Sequence, residues 1–161
     1  MTKIFIEDGI EGIEETESLT KDEFFNILEK EPEGLVLTVD KVNKPFNSKF
    51  QDKNNTTDRK KKALYLWYTF ELEGSTKKVE LAYNLNYEVE PNSNTFKLEK
   101  NSLLFKLLAL TTPNINGLSG VTTNYSKLVE KLTGIKFKAE SELIKGKNNT
   151  YSYILKPVSL I

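Results

Sequence analysis

Tyr65 and Trp67, the chain's only tryptophan, stand two residues apart in a stretch that alternates without a break from Ala63 to Glu73. Successive side chains of a strand point to opposite faces. Leu64, Leu66, Tyr68, Phe70 and Leu72 therefore form a core-facing set, and Ala63, Tyr65, Trp67, Thr69 and Glu71 face the other way. Just before this stretch, residues 43–62 carry Lys44, Lys49, Lys53, Arg59, Lys60, Lys61 and Lys62 against Asp52 and Asp58, with Phe46 and Phe50 among them. Flat rings on an open sheet face beside a cationic loop can stack unpaired bases while the cations follow the phosphates. Nearly all the cations are lysines, point charges suited to backbone contact rather than to bidentate reading of base edges, so weak sequence preference is expected. The competing, purely structural reading is that the rings lie under a helix or loop and the basic run is a solvated linker.

Composition narrows the chemistry. The 161 residues contain no histidine, which removes the usual general base near neutral pH, the Ser-His pair and the commonest zinc ligand. They contain no cysteine, which removes disulfides, thiolate nucleophiles and thiolate metal sites. Catalysis is thereby disfavoured, and no cofactor or metal is expected. No apolar run approaches the ~18–20 residues of a membrane span, and the first residues lack the basic-then-apolar pattern of a secretion signal, so the expectation is a cytoplasmic protein without a membrane partner. The net charge of zero conceals a segregation. Residues 1–34 hold eleven acids against Lys3, Lys21 and Lys30, and the rest of the chain is correspondingly basic.

These patterns divide the chain into an acidic N-terminal extension, 1–33, and a basic body, 34–161. In the extension, Thr2 to Ile6 reads as a short strand and residues 7–15 as a loose acidic run. Thr20-Lys21-Asp22-Glu23 is a capping box opening a helix whose Phe24, Ile27 and Leu28 share one side and which stops before Pro32. In the body, Leu35 to Val42 reads as a strand, then the basic loop, then the strand carrying the rings. Lys78 to Val89 alternates again, and the Gly74 turn makes the pair an antiparallel hairpin. Asn84 and Asn86 then fall on the same outer face as Tyr65 and Trp67, where amides can bond base edges. Helices are expected at about 102–111 and 124–133, the second stopped by Gly134. Two last strands, Lys136 to Ile144 and Tyr151 to Val158, flank a turn containing Lys145 and Lys147.

Five strands with a helical segment between the third and fourth is the order of the OB-fold, a partly open Greek-key barrel. That fold binds oligonucleotides on its second and third strands and through the loops joining strands one to two and four to five. Here those two loops are the two basic turns. The expected fold class is therefore mainly β, an OB-fold-like barrel with an acidic helical extension. Leu35 to Val158 resembles the single-stranded-DNA-binding OB-fold proteins of bacteriophages and mobile elements. The resemblance rests on LeuTyrLeuTrpTyrThrPheGluLeu, LysAsnSerLeuLeuPheLysLeuLeu, LeuThrGlyIleLysPheLysAlaGluSerGlu and AsnThrTyrSerTyrIleLeuLysPro. It implies a non-catalytic accessory of replication or recombination, with single-stranded DNA or RNA as ligand, replication proteins as further partners, and self-association left open. Many members carry an acidic C-terminal tail for recruitment, whereas ValSerLeuIle ends this chain and the acids stand in front, so recruitment through such a tail is in doubt.

The site so expected comprises Tyr65, Trp67, Asn84, Asn86, Lys44, Lys49, Lys53, Arg59, Lys60, Lys61, Lys62, Lys145 and Lys147. Two other classes remain open. A protein-binding module would use Tyr65, Trp67 and Phe46 as an interface anchor. A metal-dependent nuclease would gather Glu71, Glu73, Glu80 and Glu88 around a divalent ion. The acidic extension, for its part, could cover the basic surface and compete with nucleic acid.

Overall fold

A computed structural model of the chain describes all residues except Met1, Glu15, Phe50, 52–58, Pro91, Lys147 and Asn149. It is mainly β, with strands taking up far more of the described residues than helices. The central element is the hairpin formed by β6 (Lys61–Leu72) and β7 (Ser75–Tyr87), which are preceded in the chain by β4 (Leu35–Val42) and the two-residue β5 (Phe46–Asn47). β6 pairs antiparallel with β7 from Leu72↔Ser75 down to Lys61↔Tyr87, with one register shift between Lys61 and Lys62. On its other side β6 pairs with β4 and, further along, with β5. β4 pairs in turn with β10 (Lys136–Lys145), and β10 with β11 (Tyr151–Leu160).

The alternation read from the sequence is realised as a core. Leu64, Leu66 and Tyr68 are fully buried, Phe70 nearly so, and Val79, Leu81, Tyr83 and Leu85 line the same side of β7. Leu35, Leu37, Val39, Phe137 and Leu155 extend this face across the other strands. Three helices lie over it: α1 (Lys21–Glu29), α2 (Leu103–Thr111) and α3 (Tyr125–Leu132). α2 contributes Leu104, Phe105, Leu107 and Leu108, and α3 contributes Leu128 and Leu132. Tyr68 and Tyr83 meet in the core, hydroxyl to hydroxyl at 2.5 Å, and no buried side-chain polar atom among the described residues lacks a partner. Between Tyr87 and α3, β8 (Thr95–Glu99) and β9 (Gly120–Asn124) form a small sheet of their own.

The sheet does not close into a barrel. Its order is β11-β10-β4-β6-β7-β3, where β3 (Thr16–Leu19) comes from the acidic extension and runs parallel to β7. The edge of β7 that a closed barrel would offer to β11 is thus occupied by four residues from near the front of the chain. The extension is tied in further by α1. Its capping box forms as expected, with the Thr20 hydroxyl accepting from the Glu23 amide and the Glu23 carboxylate from the Thr20 amide. Phe24 and Leu28 are buried, and the Phe24 ring meets Phe70 edge-on at 5.7 Å. The 7–15 run, expected to be loose, instead contains β2 (Ile10–Glu14), which pairs antiparallel with β1 (Thr2–Glu7). Asp8-Gly9 sits at the turn with Gly9 at φ +77°, a dipeptide that favours tight hairpins, outweighing the charge of the flanks. Gly34, where α1 gives way to β4, has φ +77° and stands so close to the Ala139 carbonyl that a Cβ would lie 2.3 Å from it, so only glycine fits.

Candidate functional site

Tyr65 and Trp67 lie on the outer face of β6, opposite the core set. Tyr65 is exposed and Trp67 half-buried. The third ring comes from β5. Phe46 pairs with Ala63, whose small side chain leaves room for the Phe46 ring to lean along the strand. It stacks on Tyr65, with centroids 5.4 Å apart and planes 19° from parallel. Phe46 and Tyr65 retain 40% and 37% of their surface, so the stacked pair is open to a planar ligand. Trp67 stands between Lys41 on β4 and Glu80 on β7, with the Lys78 ammonium 5.2 Å from its ring centroid.

Lys41 and Lys78 were not among the residues expected at the site, and the reason is local. Strict alternation from Leu35, Leu37 and Val39 would turn Lys41 inward. A register shift between Val39 and Lys41 places Asp40 and Lys41 both in solvent and returns Val42 to the core. The bulge thereby sets a cation beside Trp67. Lys78 follows from the hairpin register, because Thr69↔Lys78 puts it on the outer face diagonal to Trp67.

The other expected residues divide into groups. Asn84 is exposed opposite Ala63, on the ring face. Asn86 falls at the Lys61/Lys62 register shift and is half-buried. Lys44, Lys49, Arg59 and Lys60 are exposed on the segments flanking β5 and β6, near the Phe46–Tyr65 pair in the chain. The base of the loop is tied to the Lys61 backbone: the Gln51 side-chain amide donates to the Lys61 carbonyl and accepts from the Lys61 amide, and the Ser48 amide donates to the same carbonyl. Lys62 occupies the side of β6 away from the rings. Its ammonium lies 3.3 Å from the Glu88 carboxylate and donates to Asn47 Oδ1 at 2.8 Å, so this cation is engaged inside the fold. Lys145 is exposed at the end of β10. Ala139 pairs with Leu35 and β10 continues beyond the start of β4, whereas the Asn43 amide donates to Tyr65 past β4's far end. Lys145 and the rings are thus at opposite ends of β4. Lys53, Phe50 and Lys147 lie outside the described residues.

The acids considered for a metal are dispersed. Glu71 accepts from the Thr76 hydroxyl, Glu88 is paired with Lys62, and Glu80 stands opposite Trp67. Among the described residues no three acidic side chains converge into a metal-holding group. Nor, among them, is any helix long and apolar enough to cross a membrane. Compared with known protein families, curated proteins and solved structures, the chain matches none.

Proposed function

We propose that the protein binds single-stranded nucleic acid, DNA in the first instance, without catalysis, on the outer face of β4, β6 and β7. The observation that carries this reading is the parallel Phe46–Tyr65 ring pair, exposed beside Trp67 at the root of the lysine-rich loop. Stacking of bases on such rings tolerates any sequence, and the cations around it supply the charge for the phosphates. The ring face of the binding surface is thus three rings, Phe46 included, with Lys41 and Lys78 added to the loop lysines and Asn84 at its margin.

The strand order supports the finer reading of the fold. β4, β6, β7, β10 and β11, taken as strands one to five, neighbour one another in the order five-four-one-two-three, that of an OB-type Greek key opened between its third and fifth strands. A role in replication or recombination follows as an expectation of that resemblance, and residence in the cytoplasm is part of the same proposal.

The test is a titration followed by Trp67 emission, with single-stranded, duplex and RNA oligomers at two salt concentrations. Single strands should quench the indole, and the log-affinity should fall against log salt with a slope near −3 if four phosphates are neutralised, at about 0.7 per phosphate. A shallow slope would favour a protein ligand anchored by the same rings. No response to any single strand would end the proposal.

A further inference from the structure

Behind the ring face lies a cavity of about 620 Å³ lined by more polar than apolar residues, within the ~300–1,000 Å³ range of sites that hold small molecules. One wall is Lys44, Pro45 and Lys62 and the other is the β8 entry with Asn94 and the start of α3 with Ser126. Its charge is positive in net. Glu88 is spent on Lys62 through one oxygen and on the Asn92 amide through the other, while Lys44 makes no ion pair with a described residue. The start of α3 adds donors of its own: Asn124 caps the Lys127 amide, and the first two amides of the helix have no partner within it. Neither wall makes the site alone. The cavity joins two lysines and two helix amides from segments far apart in sequence.

Its position says what it takes. Pro45 lines the cavity and the next residue, Phe46, stacks on Tyr65. The cavity therefore adjoins the Phe46 end of the ring face, on the side of β6 that carries Lys62, and a strand running off the rings there would meet it with its end. We propose that this cavity receives the terminal phosphate of the nucleic-acid strand lying on the ring face. The proposal rests on the binding reading above and deepens it: the protein engages strand ends in preference to strand interiors. Lys44 supplies the charge, and the amides of Tyr125 and Ser126 supply hydrogen bonds, an arrangement suited to a phosphate monoester.

The test uses the full chain, labelled with nitrogen-15 and followed by Trp67 emission and amide resonances. The probes are a fifteen-residue oligothymidylate ending in hydroxyls, the same oligomer with a 5′- or a 3′-phosphate, thymidine monophosphate, and inorganic phosphate. One phosphorylated end should raise affinity about tenfold over the hydroxyl form, the gain of one or two charge-assisted hydrogen bonds. It should also shift the Asn94 and Ser126 amides. Asn94→Asp, which adds a negative charge to the wall, should remove the tenfold advantage and keep the quenching by the hydroxyl-ended strand; Lys44→Gln, on an exposed loop, should remove the advantage as well. Equal affinities for all three oligomers, with those amides unmoved, overturn the strand-end site and leave the ring face intact. Amide shifts with thymidine monophosphate or inorganic phosphate, without any end effect on the oligomers, overturn it in favour of a free phosphate compound. Shifts with thymidine monophosphate while no oligomer quenches Trp67 overturn the ring-face reading instead.

Discussion

The two ends of β4 look alike in sequence and differ in three dimensions. Each adjoins a lysine-bearing turn, 43–62 at one end and the β10–β11 turn at the other. At the first, a bulge, a two-residue strand and a small Ala63 gather Phe46, Tyr65 and Trp67 with Lys41 and Lys78 on one face. At the second, Lys145 pairs with Tyr151 at the end of the β10–β11 ladder, beside Leu143 and Ile144; all three neighbours are exposed, and no ring stacks on Tyr151 among the described residues. The lesson is that charge in a loop marks a candidate and the register decides it. Only the first end combines cations with rings held at stacking distance.

The largest effect that could break this comparison is on affinity. Alanine at both Tyr65 and Trp67 should lower affinity for oligothymidylate by a hundredfold or more, since each stacked base is worth about 1–3 kcal/mol. Alanine at both Leu143 and Tyr151 should change it by less than about twofold. Equal losses at the two ends, in variants whose circular dichroism is unchanged, would dissolve the distinction. The next effect is on stability and separates lysines within the first end. Lys62→Ala leaves the Glu88 carboxylate buried without its cation and should destabilise the fold by about 2–3 kcal/mol in urea. Lys60→Ala, on an exposed residue, should cost under about 0.5 kcal/mol.

Phenols offer a third contrast. Tyr68 lies directly behind the ring face, and burial, then the neighbouring Tyr83, holds its pKa well above the ordinary range; burial raises Tyr83 likewise. Tyr153, on β11, is raised chiefly because it donates to Glu29, and it is half-buried at the surface. A phenol whose folded pKa exceeds its unfolded value stabilises fully below about pH 10. That stability is lost as pH rises from there through the folded pKa, because the unfolded chain releases its proton first. Stability should therefore be flat up to about pH 10 and then fall by about 1.4 kcal/mol per pH unit for each buried phenol. Tyr68→Phe should flatten the decline, and Tyr153→Phe should leave it nearly unchanged. Urea melts between pH 9 and pH 12 provide the check.

What the sequence made legible follows from which interactions are local. The core set on β6, the β6–β7 hairpin and the Thr20–Glu23 box depend on alternation or on contacts three residues apart, and each is where the spacing placed it. The position of Lys41 depends on a bulge that no periodicity records, and β8 and β9 are short strands whose pairing joins segments on either side of α2. The open sheet was illegible for a related reason. β3 takes the edge of β7 through backbone bonds and a Lys77–Glu17 ion pair, and backbone pairing carries no residue signature. At the site, Tyr65, Trp67 and Asn84 were readable as an outer face. The partnership of Phe46 with Tyr65 needed the β5–β6 register, and the diversion of Lys62 to Glu88 needed the parity of β6.

The smallest effect sharpens the comparison most finely, because it counts charges one by one. Each exposed loop lysine that meets a phosphate contributes about 0.7 to the salt slope. Lys44→Gln, Lys49→Gln and Lys60→Gln should each reduce the slope by about that amount, and the losses should add, since the residues occupy separate stretches of exposed chain. Lys145→Gln should leave the slope unchanged, because its end of β4 lies away from the rings. Lys41→Gln is the decisive member of the series. A charge placed by a bulge directly opposite Trp67 should reduce the slope as much as a loop lysine does, and should also alter the quenching of the indole. If Lys145 proves as costly as Lys41, the bound strand runs the whole length of β4, and the two ends form one surface.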